Sequence, residues 1–419
     1  MVINSEGIDA LVERTVFAPE ERGREDSRRQ IRDTALAQGI FPATIQGLYD
    51  AAGKGLYQGI TVPAINIRGL TYQVARAVFR AALKQEVGAF IFEIARSEIE
   101  YTRQRPAEYA ACLLAAALKE GFKGPVFIQG DHFQVRAGRY GSEPEEELKA
   151  IEELIRESVS AGFLNIDVDA STIVDLKQQS LDEQQESNSR VTSGMTRFIR
   201  GIEPGGVTIS VGGEIGEVGR RNSTVEDLRA FMKGYLKLLG SDPKGISKIS
   251  VQTGTTHGGV VLPDGSMAKV ELDFEVLGQL SRVAREEYGM AGAVQHGAST
   301  LPDDAFSLFP RAGTAEVHLA TGFQNIIYDS PYFPKELLNT INNHLLENYG
   351  GEKKAAETKE QFLYKTRKKA FGDFKKEIWN LPDKSVEGIR ETLEKQFSFL
   401  FQQLNVPNTV DLVKRYVAG

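Results

Sequence analysis

The sequence predicts an α/β fold, a (β/α)8 TIM barrel with helical N- and C-terminal extensions. Short β-branched runs alternate with helical stretches through the middle of the chain, the pattern of a parallel α/β sheet. Eight such runs are present, the number that closes a barrel. The length of 419 residues exceeds the ~250 residues of one barrel by enough for two flanking segments. The runs read as strands lie at 60–66, 89–95, 126–130, 164–169, 207–212, 249–252, 293–296 and 315–319.

Helix start signals recur between the strands. Ser142-Glu143-Pro144-Glu145 has the form of a capping box with an early proline, and Leu148, Ile151, Leu154, Ile155 and Val159 follow as an apolar stripe. Ser223-Thr224-Val225-Glu226 repeats that form ahead of Leu228, Phe231, Met232 and Tyr235. Leu301-Pro302-Asp303-Asp304 opens a third helix with acids near its positive N-terminal end. The expected organisation is a helical extension over 1–55, a barrel catalytic domain over 56–333 and a second helical extension over 334–419. The extensions are expected to pack under the barrel or to join subunits.

Composition narrows the function classes. With 41% hydrophobic and 26% charged residues the chain reads as an ordinary soluble globular protein. The net charge of −7 comes from mixed acids and bases, so nothing resembles the basic stripe that nucleic acid requires. No window approaches the ~20 apolar residues that span a bilayer, so a membrane is not an expected partner either. Residues 1–24 lack the apolar core of a secretory signal, and the cytoplasm is the expected compartment. The single cysteine, Cys112, lies in the apolar run AACLLAAAL and reads as a small buried hydrophobe.

The chemistry is signalled by the histidines. Of five, His132, His257, His296 and His318 fall at or just past expected strand ends, on the face where barrels keep their chemistry. Three of them sit in glycine-flanked turns: Gly130-Asp131-His132, Thr256-His257-Gly258 and Gln295-His296-Gly297. Three imidazoles around an open position make a catalytic zinc site, and cobalt, manganese or iron also suit such donors. An ion held there polarises a carbonyl and stabilises an enediolate. Asp131, beside His132, is then the acid/base. Asp167 and Asp169 in NIDVDAS, and Glu214 and Glu217 in GGEIGEVG, lie on the same rim. Each pair reads equally as an alternate metal position, as support behind the histidines, or as a solvated turn. Gly297-Ala298-Ser299 and Thr321 precede helix starts suited to a phosphate, with Arg68, Arg96, Arg220 and Arg221 as candidate clamps.

These motifs resemble those of class II (metal-dependent) fructose-bisphosphate aldolases. VPAINI is similar to that family's first-strand VPAFNV, and IQGDHF to its strand ending in Asp-His. AGFLNIDVDAST is similar to its GF…IDGS segment and VGGEIGEVG to its VE-x-ELG-x-IGG. VQTGTTHGG resembles AIGTAHG, VQHGASTLPDD resembles LHGGSGIPDE, and EVHLATGFQ resembles KINVNTELQ. The motifs come in family order, one per strand, over roughly residues 60–330, and leave both flanks uncovered.

The resemblance implies zinc on His132, His257 and His296, and proton transfer by Asp131 at the hydroxyl next to the cleaved bond. It implies an alternate metal position at Asp169 and Glu214. Phosphate contacts are implied at Gly258, Gly297, Ser299 and Thr321, with a monovalent cation nearby; Asn66, Arg220 and Arg221 join them as candidate substrate contacts. Four departures stand out. Gly212 replaces an acid of the family pattern. The loop Gly219-Arg220-Arg221-Asn222 is short and lacks the acid of the second proton transfer, leaving Glu217 as substitute. His318 and Glu316 replace an asparagine and a lysine. Glu93-Ile94-Ala95 loses a phosphate-binding hydroxyl.

The function implied is reversible cleavage of a ketose 1,6-bisphosphate, first of all fructose 1,6-bisphosphate, into dihydroxyacetone phosphate and an aldehyde phosphate. His318 and the short basic loop motivate an alternative: 4-epimerisation of a sugar or sugar phosphate by cleavage and re-addition at the same site. A non-catalytic barrel subunit of a sugar-bisphosphate aldolase is the third reading, and it gives no reason for the metal histidines or Asp131. A homodimer or larger homo-oligomer is expected.

Overall fold

The computed structural model describes residues 5–216, 221–254 and 272–417. Nine strands are present among them: β1 (Ile40–Ala43), β2 (Val62–Asn66), β3 (Ile91–Ala95), β4 (Gly124–Gln134), β5 (Asn165–Asp169), β6 (Ser210–Glu214), β7 (Lys248–Val251), β8 (Ala293–Gln295) and β9 (Glu316–Leu319). Strands β2 to β9 pair in sequence order, each parallel to the next, and β9 pairs back onto β2. This is the predicted closed (β/α)8 barrel, and all eight expected strands are found. Their residues are almost all buried, because helices cover the outer face while side chains fill the inner one.

β1 was not foreseen. It lies in the stretch expected to be wholly helical and pairs in parallel with the first half of β4, Ile40 opposite Gly124 to Ala43 opposite Phe127. β5 takes over the same edge from Gln129 onward. Asn165, fully buried, closes the join: its amide donates to Ala43 O and Ile128 O at 3.2 and 3.0 Å, and its oxygen accepts from Ile45 N at 2.8 Å. A four-residue IFPA run with proline carries no strand periodicity, so only this docking makes it a strand.

Two helix starts differ from expectation by local register. The helix Pro144–Ala161 has its proline at the first turn, as expected, but Glu143 is its N-cap. Ser142 instead ends the short helix Ala137–Ser142 and donates to carbonyls of that helix. The helix Val225–Leu239 is capped by Thr224 with Asp227, one residue on from the expected Ser223–Glu226 pair. Ser223 is drawn away because its hydroxyl accepts from Gln252 N at 2.9 Å, beyond the end of β7.

The flanks pack on the barrel's outer helices. Ser5–Phe17 and Glu21–Ala37 lie on Pro106–Glu120, and Asp383–Gln403 lies on Thr71–Lys84. The C-terminal segment also ties down strand beginnings: Thr61 N donates to Leu404 O at 3.0 Å, and Thr409 Oγ1 accepts from Gly88 N and Ala89 N. Cys112 is buried as expected, and burial pushes its thiol pKa up. No helix among the described residues is long and apolar enough to cross a membrane.

Candidate metal centre and active-site cavity

A bulge in β4 creates the site. Gly130 pairs with Ile166 and Phe133 with Val168, so three steps on β4 oppose two on β5 and one residue is extra. His132 takes φ +40°, a left-handed conformation that is costly for a side-chain-bearing residue and is held by the surrounding sheet. Gly130 makes the bend feasible, because any Cβ there would lie 2.5 Å from the Phe133 ring. The bulge turns Asp131 and His132 into the barrel mouth, where they line a cavity of about 340 Å³.

His132 and His296 face one another there with ring centroids 4.1 Å apart. Asp131 Oδ1 lies 3.8 Å from His132 Nε2 and 4.0 Å from His296 Nδ1. The far nitrogen of each ring is held from behind. His132 Nδ1 sits 2.8 Å from Asp169 Oδ2 and 3.1 Å from Glu214 Oε2. His296 Nε2 sits 2.9 Å from Ser250 Oγ. Asp169 in turn accepts from Gln134 Nε2 and from the Ser171 amide and hydroxyl. Asp169 and Glu214 therefore stand behind His132 rather than in a solvated turn, the arrangement that orients a metal-binding imidazole. Burial alone would lower the His132 pKa; the Asp131 and Glu214 charges and hydrogen bonding by Asp169 and Glu214 hold it well above its ordinary value. Burial raises Asp169, but its hydrogen bond and charge pairing with His132 win and leave it lowered.

A half-buried and a buried imidazole this close together, with the Asp131 carboxylate beside them, offer nitrogen donors that fit a divalent ion such as zinc. His257, the expected third ligand, lies outside the described residues, as do Gly258, Glu217 and Arg220.

Beneath this face is a charged layer that the strands carry inside the barrel. His318 Nδ1 is 3.0 Å from Glu93 Oε2 and 3.2 Å from Asp131 Oδ1; its Nε2 is 2.6 Å from Glu316 Oε1. Burial works against the imidazolium, yet Glu93 and Asp131 overcome it and raise the His318 pKa well above the usual range. Lys248, 1% exposed, reaches across the barrel axis to Glu316 Oε1 at 2.5 Å, Gln129 Oε1 at 2.7 Å and Asp167 Oδ2 at 3.1 Å. Tyr49 donates to the other Glu316 oxygen. Asp167, left open in the sequence, lies in this layer, beside Lys248 and His318.

Gly212 now has an explanation. A Cβ there would fall 2.2 Å from Asp167 Oδ1 and 2.9 Å from Lys248 Cε, so the missing side chain is what admits the Lys248–Asp167 pair. Gly212→Ala is expected to cost about 1–3 kcal/mol by overpacking, read as a shift of the urea midpoint at unchanged m-value. An unchanged midpoint would show that the layer has slack.

The remaining expected residues separate. Gly297, with φ +68°, Ser299 and Thr321 all line the cavity, and Arg68 donates to Thr321 Oγ1 at 3.2 Å. Asn66 also lines it, but its amide donates to Glu98. Arg96 lines it while bound to Glu147. Arg221, expected as a phosphate clamp, has both terminal nitrogens engaged by Asp227 at 2.6 and 2.8 Å and is not among the described residues that line the cavity. Asp227 is the helix-capping acid, and its carboxylate satisfies the guanidinium there.

Sequence reading did not single out Lys248, Gln129, Glu98, Arg136 or Lys368. Lys248 offered a signal, being a charge that opens a short buried parallel strand, as Glu316 also does, while Glu93 sits in the middle of one. Lys368 offered none. It comes from the C-terminal flank and reaches the cavity because Lys375 pairs with Glu108 and Asp373 with Arg103.

The sequence matches the family described as fructose-bisphosphate aldolase class II over residues 44–378. No protein of curated description matches it. Among solved structures it is similar to a fructose-bisphosphate aldolase from Campylobacter jejuni, at 18% identity and TM-score 0.51, covering 88% of this chain and 96% of that one. It is similar to the YdjI aldolase from Escherichia coli K12, at 14% identity and TM-score 0.51, covering 88% and 99%. It is also similar to the fructuronate-tagaturonate epimerase UxaE from Cohnella laeviribosi, at 12% identity and TM-score 0.56, covering 94% and 86%. Likenesses at these identities establish the shared fold.

Proposed function

This chain belongs to the class II fructose-bisphosphate aldolase family, and from that premise we propose that it is a zinc-dependent aldolase that reversibly cleaves a phosphorylated ketose into dihydroxyacetone phosphate and an aldehyde. The observation that carries the reading is the convergence of His132, His296 and Asp131 at the strand ends, with Asp169, Glu214 and Ser250 behind the rings.

His132 and His296, with His257 completing the set, would hold the ion. When bound, it supplies electrophilic polarisation of the ketone oxygen. Asp131 takes the proton from the hydroxyl beside the bond that breaks, and returns it in the condensation direction. His318, held as a cation by Glu93, Asp131 and Glu316, faces the same space and offers positive charge or a proton to oxygen as negative charge develops. Gly297, Ser299 and Thr321 anchor the phosphate. Turning the substrate into this recess excludes water, which strengthens each of these interactions.

His318 beside Asp131 also supports a second reading, in which the aldehyde is retained, turned and re-added with inverted stereochemistry. The two readings differ in product: free dihydroxyacetone phosphate for the aldolase, a stereoisomeric ketose for the epimerase.

The test is metal content together with release of dihydroxyacetone phosphate from ketose phosphates, before and after chelation. We expect activity to vanish with chelator, to return with zinc, and the thermal midpoint to fall on metal removal, since a ligand bound only to the native state stabilises it by mass action. Activity that survives complete removal of metal would end the metal-dependent reading.

A further inference from the structure

The expectation of a bisphosphate meets an obstacle in the cavity wall. Glu98, 4% exposed, places its carboxylate where four donors converge. Asn66 Nδ2 donates to Oε2 at 2.5 Å and Ala95 N to the same oxygen at 2.9 Å. Arg68 Nε donates to Oε1 at 2.7 Å, and the Tyr101 hydroxyl lies 3.4 Å from it. A guanidinium, an amide and a backbone N–H gathered around two oxygens form an anion hole, and here the chain fills it from within.

The neighbouring atoms ask for the opposite partner. Asn66 Oδ1, an amide acceptor, and Glu93 Oε1 are buried with no hydrogen-bond partner; burial and the Asp131 charge push the Glu93 carboxyl well above its ordinary range, so it can donate as well as accept. They belong to residues opposite one another in the β2–β3 register that both line the cavity. Buried acceptors require donors. Hydroxyl groups supply donors, whereas phosphate oxygens supply mainly further acceptors and charge.

Charge pairing points the same way. Of the cavity-lining cations, Arg68 is paired with Glu98, Arg96 with Glu147 and Arg136 with Glu100. Among the described residues that line the cavity, Lys368 is the one lysine or arginine with no carboxylate partner; its ammonium lies over the Tyr101 ring. Lys368 and the loop that carries Gly297 and Ser299 are, among the described residues that line the cavity, the groups left to hold a phosphate. A second dianion buried here would lie beside Glu98.

We propose that the substrate is a ketose bearing a single phosphate, that its hydroxylated end lies against Asn66, Glu93 and Glu98, and that Glu98 is the specificity-determining residue that shuts out a second phosphate. This rests on the ketose-phosphate cleavage reading above. Glu98 also caps the helix Arg96–Thr102 through Ala95 N, so its test must separate specificity from folding.

The experiment is calorimetric titration of the metal-loaded full chain with fructose 1-phosphate and with fructose 1,6-bisphosphate. It uses wild type, Glu98→Ala, which opens the hole, and Glu98→Gln, which removes the charge and keeps the volume and cap. Cleavage kinetics on both sugars run alongside, and thermal melts check each fold. Wild type is expected to bind the 1-phosphate at least about 10-fold tighter, the scale of one like-charge juxtaposition at a binding surface. Glu98→Ala is expected to erase or reverse that ratio, with Glu98→Gln intermediate. A wild type that prefers the bisphosphate, or a ratio unmoved in both variants, overturns the proposal. Binding of the 1-phosphate without release of dihydroxyacetone phosphate sinks the cleavage reading and leaves the single-phosphate assignment standing. Cleavage with a lower KM for the bisphosphate does the reverse, and binding of neither sugar overturns both.

Discussion

Replacing Asp131 by alanine is expected to lower kcat for carbon–carbon cleavage by about 10²–10⁴-fold, the usual worth of a positioned general base. The chain should retain its metal, because the imidazoles and the groups behind them are untouched. Asp131 is 5% exposed and lies within 4.0 Å of His132 Nε2, His296 Nδ1 and His318 Nδ1. It is the carboxylate placed beside both facing imidazoles and the His318 ring beneath them. Asp131→Asn keeps the shape and loses the basicity, so it should be nearly as slow. The measurements are kcat on the preferred ketose phosphate and metal per chain for both variants. Near-wild-type turnover in Asp131→Asn would remove Asp131 from the proton-transfer role.

The largest effect on stability is expected from Lys248→Met. A methionine fills much of the lysine's space but abandons Asp167 and Glu316 in the barrel interior. Deleting one partner of a buried ion pair costs about 3–5 kcal/mol, because the remaining charge is left without compensation. The check is equilibrium urea unfolding, in which the midpoint falls. A shift below about 1 kcal/mol, the size of a solvent-exposed pair, would mean that water reaches this layer.

The deficit should depend on pH. Burial, helped by Glu316 and Asp131 and opposed by Lys248, raises Asp167 from its ordinary 3.8 to about 6. Its folded pKa exceeds its unfolded one, so its ionisation favours the unfolded chain. That penalty is absent below about 3.8 and grows as pH rises through about 6. Without the Lys248 ammonium the folded pKa rises further. Lys248→Met should therefore lose more stability relative to wild type at pH 8 than at pH 5. Equal deficits at both would separate Asp167 from Lys248.

Some of the site was legible because the chemistry is written in adjacent residues. Gly130-Asp131-His132 and Gln295-His296-Gly297 each place a donor at a strand end, and the barrel rule turns strand ends into one face. The meeting of His132, His296 and Asp131 thus needed only the strand count and the direction of the strands. The roles of Asp169 and Glu214 were left three ways open, because position on a rim does not say which way a carboxylate turns. Their contacts with His132 Nδ1 turn both carboxylates inward and exclude the solvated turn.

What the sequence by itself determined is the barrel, its eight strands and the placing of Asp131, His132 and His296 at strand ends, since hydrophobic period and turn chemistry are local properties. What only the tertiary structure decided is everything that depends on two distant segments meeting. β1 is a strand because β4 offers it an edge, and Arg221 turns to the helix-capping carboxylate of Asp227. Lys248 finds Asp167 and Glu316 across the barrel axis where Gly212 leaves room. Lys368 enters the cavity from a flank that no motif connects to it, and Glu98 closes an anion hole made by β2 and β3 together. Pairing free energies act over a few ångströms of space, and sequence separation carries no record of that distance until the chain has closed.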